Sequence, residues 1–451
     1  MRGSVILGAG PGGTGPLVWA AQNGKLASWL AAGVTILDRS PSMGGSLGRY
    51  IVNSDSLGSS YLECLDALPA RELFARLRAD AVTRELQSMR YGFPPLSLVG
   101  EFFRRFGAAL EEIVSSHPGS AFLPSTSVRV LRLRDGGAVV AEVVTASGEI
   151  SFIEARTAIM ALGGRQDAAR YLTVDLMPGV QLGDTDPDKI LPSDKLLSTD
   201  GPARALAIFE RAASRRVVIL GGSHSAFSAA WMLTHRLPQV AFGPGDISIL
   251  FRRPPRIFYW TGEDAAADGY QFNERDLCVR TRRVHRFGGL RGDGREMWRR
   301  LTRRPGTQPE SRVTMAPLAE SHFSPASLRR LLDEAALVIP AFGYRAATVP
   351  MFDATGRRLR LNADYGGPAV GRAARLLLAE GGELPNVFGI GLGADYRPWG
   401  HMGGEPSFDG QANSLWLYQN DIGEVVYRGV QDCLRQAARP PISRYLTASV
   451  A

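Results

Sequence analysis

Two glycine-rich turns hold most of the chemistry legible in this chain. The first, Gly8-Ala9-Gly10-Pro11-Gly12-Gly13, follows the apolar run Ser4–Leu7 and precedes Leu17, Val18, Ala20 and Ala21 at helical spacing. Strand, Gly-x-Gly-x-x-Gly and helix in that order suit a pyrophosphate. One glycine makes the tight turn, one admits the phosphate to the backbone, and one lets helix and strand pack closely. The start of the helix supplies free N–H groups. Val34–Leu37 then reads as a second buried strand ending in Asp38, whose carboxylate can accept both ribose hydroxyl hydrogens. Asp38 stands 25 residues past Gly13, against ~20 in the usual unit, a gap that a long first helix accounts for.

The second turn, Gly221-Gly222-Ser223-His224-Ser225, repeats this layout between the strand Val217–Leu220 and a helix through Ala229, Ala230 and Trp231. Its following strand, Ile247–Phe251, ends in Arg252-Arg253 instead of an acid. Guanidinium groups there grip a 2′-phosphate by bidentate, charge-assisted hydrogen bonds, which favours NADPH over NADH. His224 is expected to contact phosphate or loop and not to act as a general base.

The elements between the turns must position them. Residues 66–117 look helical, with Phe102, Phe106, Leu110 and Ile113 in core spacing. The period then changes to two over Ser127–Leu133, Ala138–Val144 and Ile150–Ile153, a small antiparallel meander. It leads into the buried strand Thr157–Leu162, which ends at Gly163-Gly164. Later come the buried strand Ala335–Ala341, the segment Pro385-Asn386-Val387-Phe388 running to Gly391 and Asp395, and a final helix over 411–426. Residues 262–328 are Arg-rich, broken by Gly and Pro, and read as a mobile insertion.

The chain has 451 residues, 45% hydrophobic and 21% charged, room for two or three domains of an ordinary globular protein. No apolar run suggests a signal peptide or a membrane span. Its three cysteines, Cys64, Cys278 and Cys433, form no CxxC, which points to buried free thiols in a cytoplasmic protein. The net charge of +8 is concentrated between Arg252 and Arg304, where 14 arginines face 7 acids. That stretch reads as a solvated surface or a phosphate or acidic-partner surface; no nucleic-acid motif accompanies it.

The glycine pair in Ser42-Met43-Gly44-Gly45-Ser46 after the first acid, followed by the meander and the glycine-ended strand, resembles flavoproteins with two dinucleotide-binding folds. The resemblance implies an α/β protein with two Rossmann-like domains. A discontinuous FAD domain would cover 1–200 and 335–451, with an NADPH domain inserted over 201–334. It also implies FAD contacts at Gly8, Gly10, Gly12, Gly13, Asp38, Arg39, Gly44, Gly45, Ser46, Asn53, Val128, Gly163, Gly391, Asp395 and Ser407. NADPH contacts would fall at Gly221, Gly222, Ser223, His224, Ser225, Arg252, Arg253, Gly343 and Tyr344.

Ala341-Phe342-Gly343-Tyr344-Arg345 is similar to the Ala-Thr-Gly-Tyr-Arg of flavin-dependent N-hydroxylating monooxygenases acting on lysine and ornithine side chains. His401-Met402-Gly403-Gly404-Glu405-Pro406-Ser407 resembles that family's segment before the last helix. The likeness implies that NADPH reduces FAD, that oxygen forms a C4a-hydroperoxide, and that an unprotonated amine of a small molecule or amino acid attacks it. Substrate candidates are Arg49, Asn53, Arg397 and His401. A carrier-bound substrate and association of copies stay open, as does an FAD reductase of the same fold without oxygen insertion.

Overall fold

The computed structural model describes residues 1–438. Strand β1 (Arg2–Leu7) is buried from Gly3 onward, as a strand covered on both faces must be. It lies between β2 (Val34–Leu37) and β6 (Ile150–Met160), parallel to both. Beyond β2 comes β3 (Ala121–Leu123), and beyond β6 comes β11 (Glu383–Gly389), again parallel. Strands β4 (Thr126–Leu133) and β5 (Val139–Thr145) form the antiparallel meander with the first half of β6. Helix α1 (Pro11–Gln22) covers the sheet and packs against α6 (Leu415–Gln419) and α7 (Asp421–Ala438). Approach there is so close that a Cβ on Gly15 would lie 2.4 Å from the Tyr418 carbonyl oxygen. Helix α2 (Leu96–Ser115) buries Phe102, Phe103, Phe106 and Leu110 beneath the Met43–Gly44 loop.

A second parallel sheet has the order β9 (Val313–Pro317), β8 (Ile247–Phe251), β7 (Val217–Leu220), β10 (Leu337–Pro340). Helices α3 (His224–Arg236), α4 (Gly292–Leu301) and α5 (Pro325–Glu334) pack around it. This pairing moves both expected domain boundaries. Leu337–Pro340 belongs to the second unit, in register with Val217–Leu220, and not to the returning first unit. On the other side, Ile190 bridges to Val338, and Tyr171, Leu176 and Met177 share a core with Val218 and Leu220. The second unit therefore spans roughly 170–341. A fully buried apolar strand reads alike in either sheet, so only its partners assign it. The two crossings lie side by side, Gly164–Arg165 pairing antiparallel with Arg345–Ala346.

The Arg-rich stretch is a packed element, contrary to the expectation of a mobile insertion. Ile257, Tyr259, Leu277, Val284, Leu290, Met297 and Trp298 are buried in the second core. Its apolar residues come singly and the chain between them is irregular, which hid them from periodicity. Several arginines have local partners: Arg295 and Arg299 flank the buried Asp268 at 3.7 and 3.0 Å, and Asp268 also accepts from the Tyr259 hydroxyl at 2.7 Å. Cys64 and Cys278 are buried and Cys433 half-buried, all as free thiols. Among the described residues no helix is long and apolar enough to cross a membrane.

Candidate functional site

The first turn has glycines at Gly8, Gly12 and Gly13 that nothing larger can replace. Gly8 has φ +107, and a Cβ there would lie 2.3 Å from the Ala161 carbonyl oxygen. One on Gly13 would lie 1.8 Å from the Gly8 oxygen, and one on Gly12 would lie 2.9 Å from Gly391 Cα. Gly10 differs: its nearest neighbour would be Gly45 Cα at 3.6 Å, and as the N-cap of α1 it leaves the first-turn N–H groups uncapped by any side chain. Gly44, whose N–H donates to the Ala9 carbonyl at 2.9 Å, brings Gly45 and Ser46 beside this opening. The result is a cradle at the carboxyl ends of the strands, where α/β sheets take their ligands.

Asp38 stands at its rim. One carboxylate oxygen accepts from Ala9 N–H at 2.7 Å and the other from Ser40 N–H at 2.8 Å, so its orientation is set by backbone. Arg39 is exposed beside it. The Asp38 carbonyl takes the Thr126 N–H at 2.8 Å, which places the start of β4, with half-buried Val128, along the same edge. Gly163 (φ +77) has open space where a side chain would be. Asp395 is left-handed at φ +56; burial pushes its carboxyl up, against the pull of Arg397 and Arg345.

The second turn repeats the construction. A Cβ on Gly221 would lie 2.7 Å from the Ala341 oxygen, and one on Gly222 would lie 2.8 Å from Phe251 Cβ. Ser223 is the N-cap of α3 without a side-chain cap, so the N–H groups from His224 and Ser225 onward face outward. Gly343 (φ +81) is open, and the neighbouring Tyr344 phenol is raised in pKa, chiefly by burial. Arg252 donates to the Asp175 carbonyl, and Arg253 pairs with Asp409 from the segment before α6.

The second turn and the start of α4 meet the 49–55 loop of the first unit. His224 Nε2 lies 3.7 Å from Asp55 of the first unit, and Asn53 Nδ2 donates to Asp293 at the start of α4 at 3.1 Å. Arg49 stacks on Tyr50 at 4.8 Å and donates to its hydroxyl at 2.7 Å. Other expected residues do not converge on the first cradle. Ser407 lies against the Arg-rich stretch, its carbonyl accepting from Arg256 at 2.7 Å and its N–H donating to the Arg275 carbonyl at 2.8 Å. Arg397 and His401 are exposed.

Buried polar atoms without partners mark the space between the units: His224 Nε2, Arg291 Nε, Ser407 Oγ and Gln411 Oε1. Groups of this kind cost free energy unless a ligand meets them, so the glycine-walled turns and these atoms together fit bound dinucleotides. Glu405, Asp55, Asp293 and Arg291 were not singled out from sequence. Glu405 is 3% exposed and accepts from the Phe287 and Gly288 N–H groups at 3.0 and 3.1 Å. For Arg291 the available signal was the interleaving of arginine with Phe258 and Trp260.

Burial lowers the pKa of both His224 and His285, with Asp55 and Asp276 respectively opposing it in part. Unfolded imidazole takes up its proton near ~6.5 while these folded groups resist. Their contribution is therefore complete above that pH and is lost as pH falls through ~6.5 toward the folded values. The expected result is a stability that is flat from pH 8 to 7 and declines below, His285 alone losing roughly 1–2 kcal/mol by pH 5. His285→Gln should flatten that decline; an unchanged slope would assign it to other groups.

No protein-family model matches the chain. It is 33% identical over 437 residues to the CMP-5′-(3-aminopropyl)phosphonate hydroxylase of Streptomyces rubellomurinus (strain ATCC 31215), covering 95% of this chain and 97% of that one. Its fold is shared with L-lysine 6-monooxygenase from Pseudomonas syringae (15% identity, TM-score 0.55, 97% and 100% of the two chains). Ornithine hydroxylase from Pseudomonas aeruginosa matches similarly (13%, TM-score 0.54, 96% and 99%), as does an FAD-bound cadaverine monooxygenase from Erwinia amylovora (12%, TM-score 0.54, 96% and 95%). With paired nucleotide folds and a full-length relative of this identity, the chain belongs to the flavin-dependent N-hydroxylating monooxygenases.

Proposed function

We propose that this enzyme uses FAD, NADPH and molecular oxygen to convert a primary amine to a hydroxylamine. The observation that carries the reading is the contact of the second glycine turn with the first unit, where His224 lies 3.7 Å from Asp55 in the loop that follows the Gly44–Gly45 pair. FAD, when bound, supplies hydride acceptance from NADPH and activation of oxygen. For each turnover one amine, one O₂, one NADPH and one proton give one hydroxylamine, one water and one NADP⁺.

The chain's own part is binding and orientation. Gly8–Gly13, Gly45 and Gly391 receive the flavin nucleotide, and Asp38 takes the ribose hydroxyls. Ser223–Ser225 receive the nicotinamide nucleotide's phosphates at the start of α3. Packing of the Arg-rich stretch against the 402–407 tail, through Arg286 to the Met402 carbonyl at 2.9 Å and Glu405 to Phe287, closes this side against water. A dry site also favours the neutral amine, because desolvation penalises the ammonium. The named substrate of the Streptomyces relative carries its amine on a phosphonate joined to CMP, and an amine tethered to such an anion is the class proposed here. Arg49, at the junction, and the tail residues Arg397 and His401 are the substrate contacts to test.

The deciding experiment incubates FAD-loaded enzyme with NADPH, oxygen and a panel of primary amines, with products read by mass spectrometry. A product 16 Da heavier, formed one for one with NADPH, is expected; hydrogen peroxide alone with every amine would reject N-hydroxylation in favour of a reductase. Arg252→Ala with Arg253→Ala should raise the NADPH KM ~10–100-fold, the worth of charge-assisted hydrogen bonds to a phosphate, and leave the NADH KM near its original value. Equal effects on both would leave Arg253 only its tie to Asp409.

A further inference from the structure

Within the Arg-rich stretch two groups of arginines stand out. Arg280, Arg282, Arg295, Arg299 and Arg300 each pair with a carboxylate. Arg283, Arg286 and Arg291 have no acid within ion-pair distance among the described residues. They lie instead over aromatic faces, Arg283 on Trp260 at 4.2 Å, Arg286 on Phe287 at 4.7 Å and Arg291 on Phe258 at 4.1 Å. Phe258 and Trp260 meet edge to face at 5.1 Å, which joins Arg291 and Arg283 in one row, and Arg291 donates to the Arg286 carbonyl, which brings in the third.

Three guanidinium groups held together without an ion-pair partner are costly, since Asp55 and Glu405 act on Arg291 only from beyond ion-pair distance. Burial, then mutual repulsion, lowers the pKa of Arg283, and burial does the same to Arg291, yet a guanidinium keeps its proton throughout the working range. Nε of Arg291 is buried and unpartnered. Half-buried charges this weakly compensated suit a place where an anion arrives to meet them. Glu405, the nearest buried acid in the tail, already accepts from two backbone N–H groups.

The row has two distinct ends. Arg291 is at the start of α4, beside Asp293 and the junction of the two units. Trp260, 47% exposed, borders a cavity of about 540 Å³ lined also by Phe272, Leu277, Thr281, Arg282 and the acids Glu263 and Glu274, the latter paired with Arg282. Thr281 Oγ1 there is buried without a partner. An exposed indole flanked by arginine is a stacking platform for a base, a contact worth ~1–3 kcal/mol.

We propose that this row binds the nucleotide end of the substrate: the base on Trp260 in the cavity, the phosphate or phosphonate oxygens on Arg283, Arg286 and Arg291, and the amine directed to the junction of the units. The assignment rests on the N-hydroxylating reading and adds to it where, and by which residues, a nucleoside-monophosphate-linked amine is selected.

The test measures CMP binding to FAD-loaded protein by calorimetry, which needs no turnover. Wild type should bind CMP; Trp260→Ala and Arg283→Gln should each weaken it at least tenfold, Trp260→Phe should restore most of the loss, and the NADPH KM should change less than twofold. Flavin content and thermal midpoint confirm that the variants are folded. No CMP binding by wild type, variants that bind CMP as tightly as wild type, or an NADPH KM that rises in step would each overturn the assignment, the last by giving these arginines to the cofactor's phosphates. Hydroxylamine formed from simple alkylamines without CMP binding sinks the nucleotide site alone. CMP binding that the variants abolish, with no hydroxylamine from any CMP-linked amine, upholds the site and rejects the reaction.

Discussion

Gly13→Val is expected to yield protein that purifies without its yellow flavin. A Cβ at this position would come within 1.8 Å of the Gly8 carbonyl oxygen, and valine adds two further methyls against the side of β1. No rotamer relieves this, because the colliding atom is backbone of the turn leaving β1, a strand locked between β2 and β6. Helix α1 must therefore move off the strand, and the N–H groups of its first turn move with it. Overpacking of this type costs ~1–3 kcal/mol in stability, and displacement of the phosphate-facing groups should reduce FAD affinity by at least about a hundredfold, equal to about 2.8 kcal/mol. The check is the ratio of 450 to 280 nm absorbance after gel filtration, with FAD titrated back by fluorescence quenching. Gly10→Ala is the internal control: its nearest neighbour would be 3.6 Å away, so the fold should survive while affinity falls. Equal flavin content in Gly13→Val and wild type would refute the assignment of this turn as the flavin cradle.

Glu405→Ala carries the second large effect. The carboxylate is buried, and removing it leaves the Phe287 and Gly288 N–H groups without an acceptor. At ~1–3 kcal/mol for each orphaned buried group, the expected loss is ~2–4 kcal/mol, seen as a lowered thermal midpoint. Because the same carboxylate fastens the 402–407 tail to the Arg-rich stretch, the tail should also become a protease site. Peroxide released per NADPH should then rise, since water gains entry between the units. Glu405→Gln keeps one acceptor oxygen and should lie between the two. Loss of stability without increased peroxide would confine Glu405 to a structural part.

Much of the architecture is local in origin and could be read from residue order. The Gly8–Gly13 and Gly221–Gly222 turns were legible because their requirement is largely steric: at Gly8, Gly13 and Gly221 a carbonyl oxygen stands where a Cβ would go. Asp38 followed from its place after a buried strand, and the meander from its period of two. The resemblance to N-hydroxylating monooxygenases, carried by the Gly343-Tyr344-Arg345 and His401–Ser407 segments, agrees with the Streptomyces relative.

What the sequence alone could not determine lies in contacts between distant segments. Asn53 meets Asp293 240 positions away, and Arg253 meets Asp409 156 positions away; periodicity and spacing carry no information about such pairs. For the same reason Leu337–Pro340 was placed in the wrong unit, since a strand apolar on both faces fits either sheet until its neighbours are known. Ser407 shows the limit of motif transfer: its segment resembles the family's, yet its backbone is held by Arg256 and Arg275. The arginines between 252 and 304 were visible as net charge only. Which of them are neutralised by Asp268, Glu274 or Asp421, and that Arg283, Arg286 and Arg291 stack on aromatic rings without an acid, was decided by tertiary packing, because the cost of a charge depends on what surrounds it and not on its place in the chain.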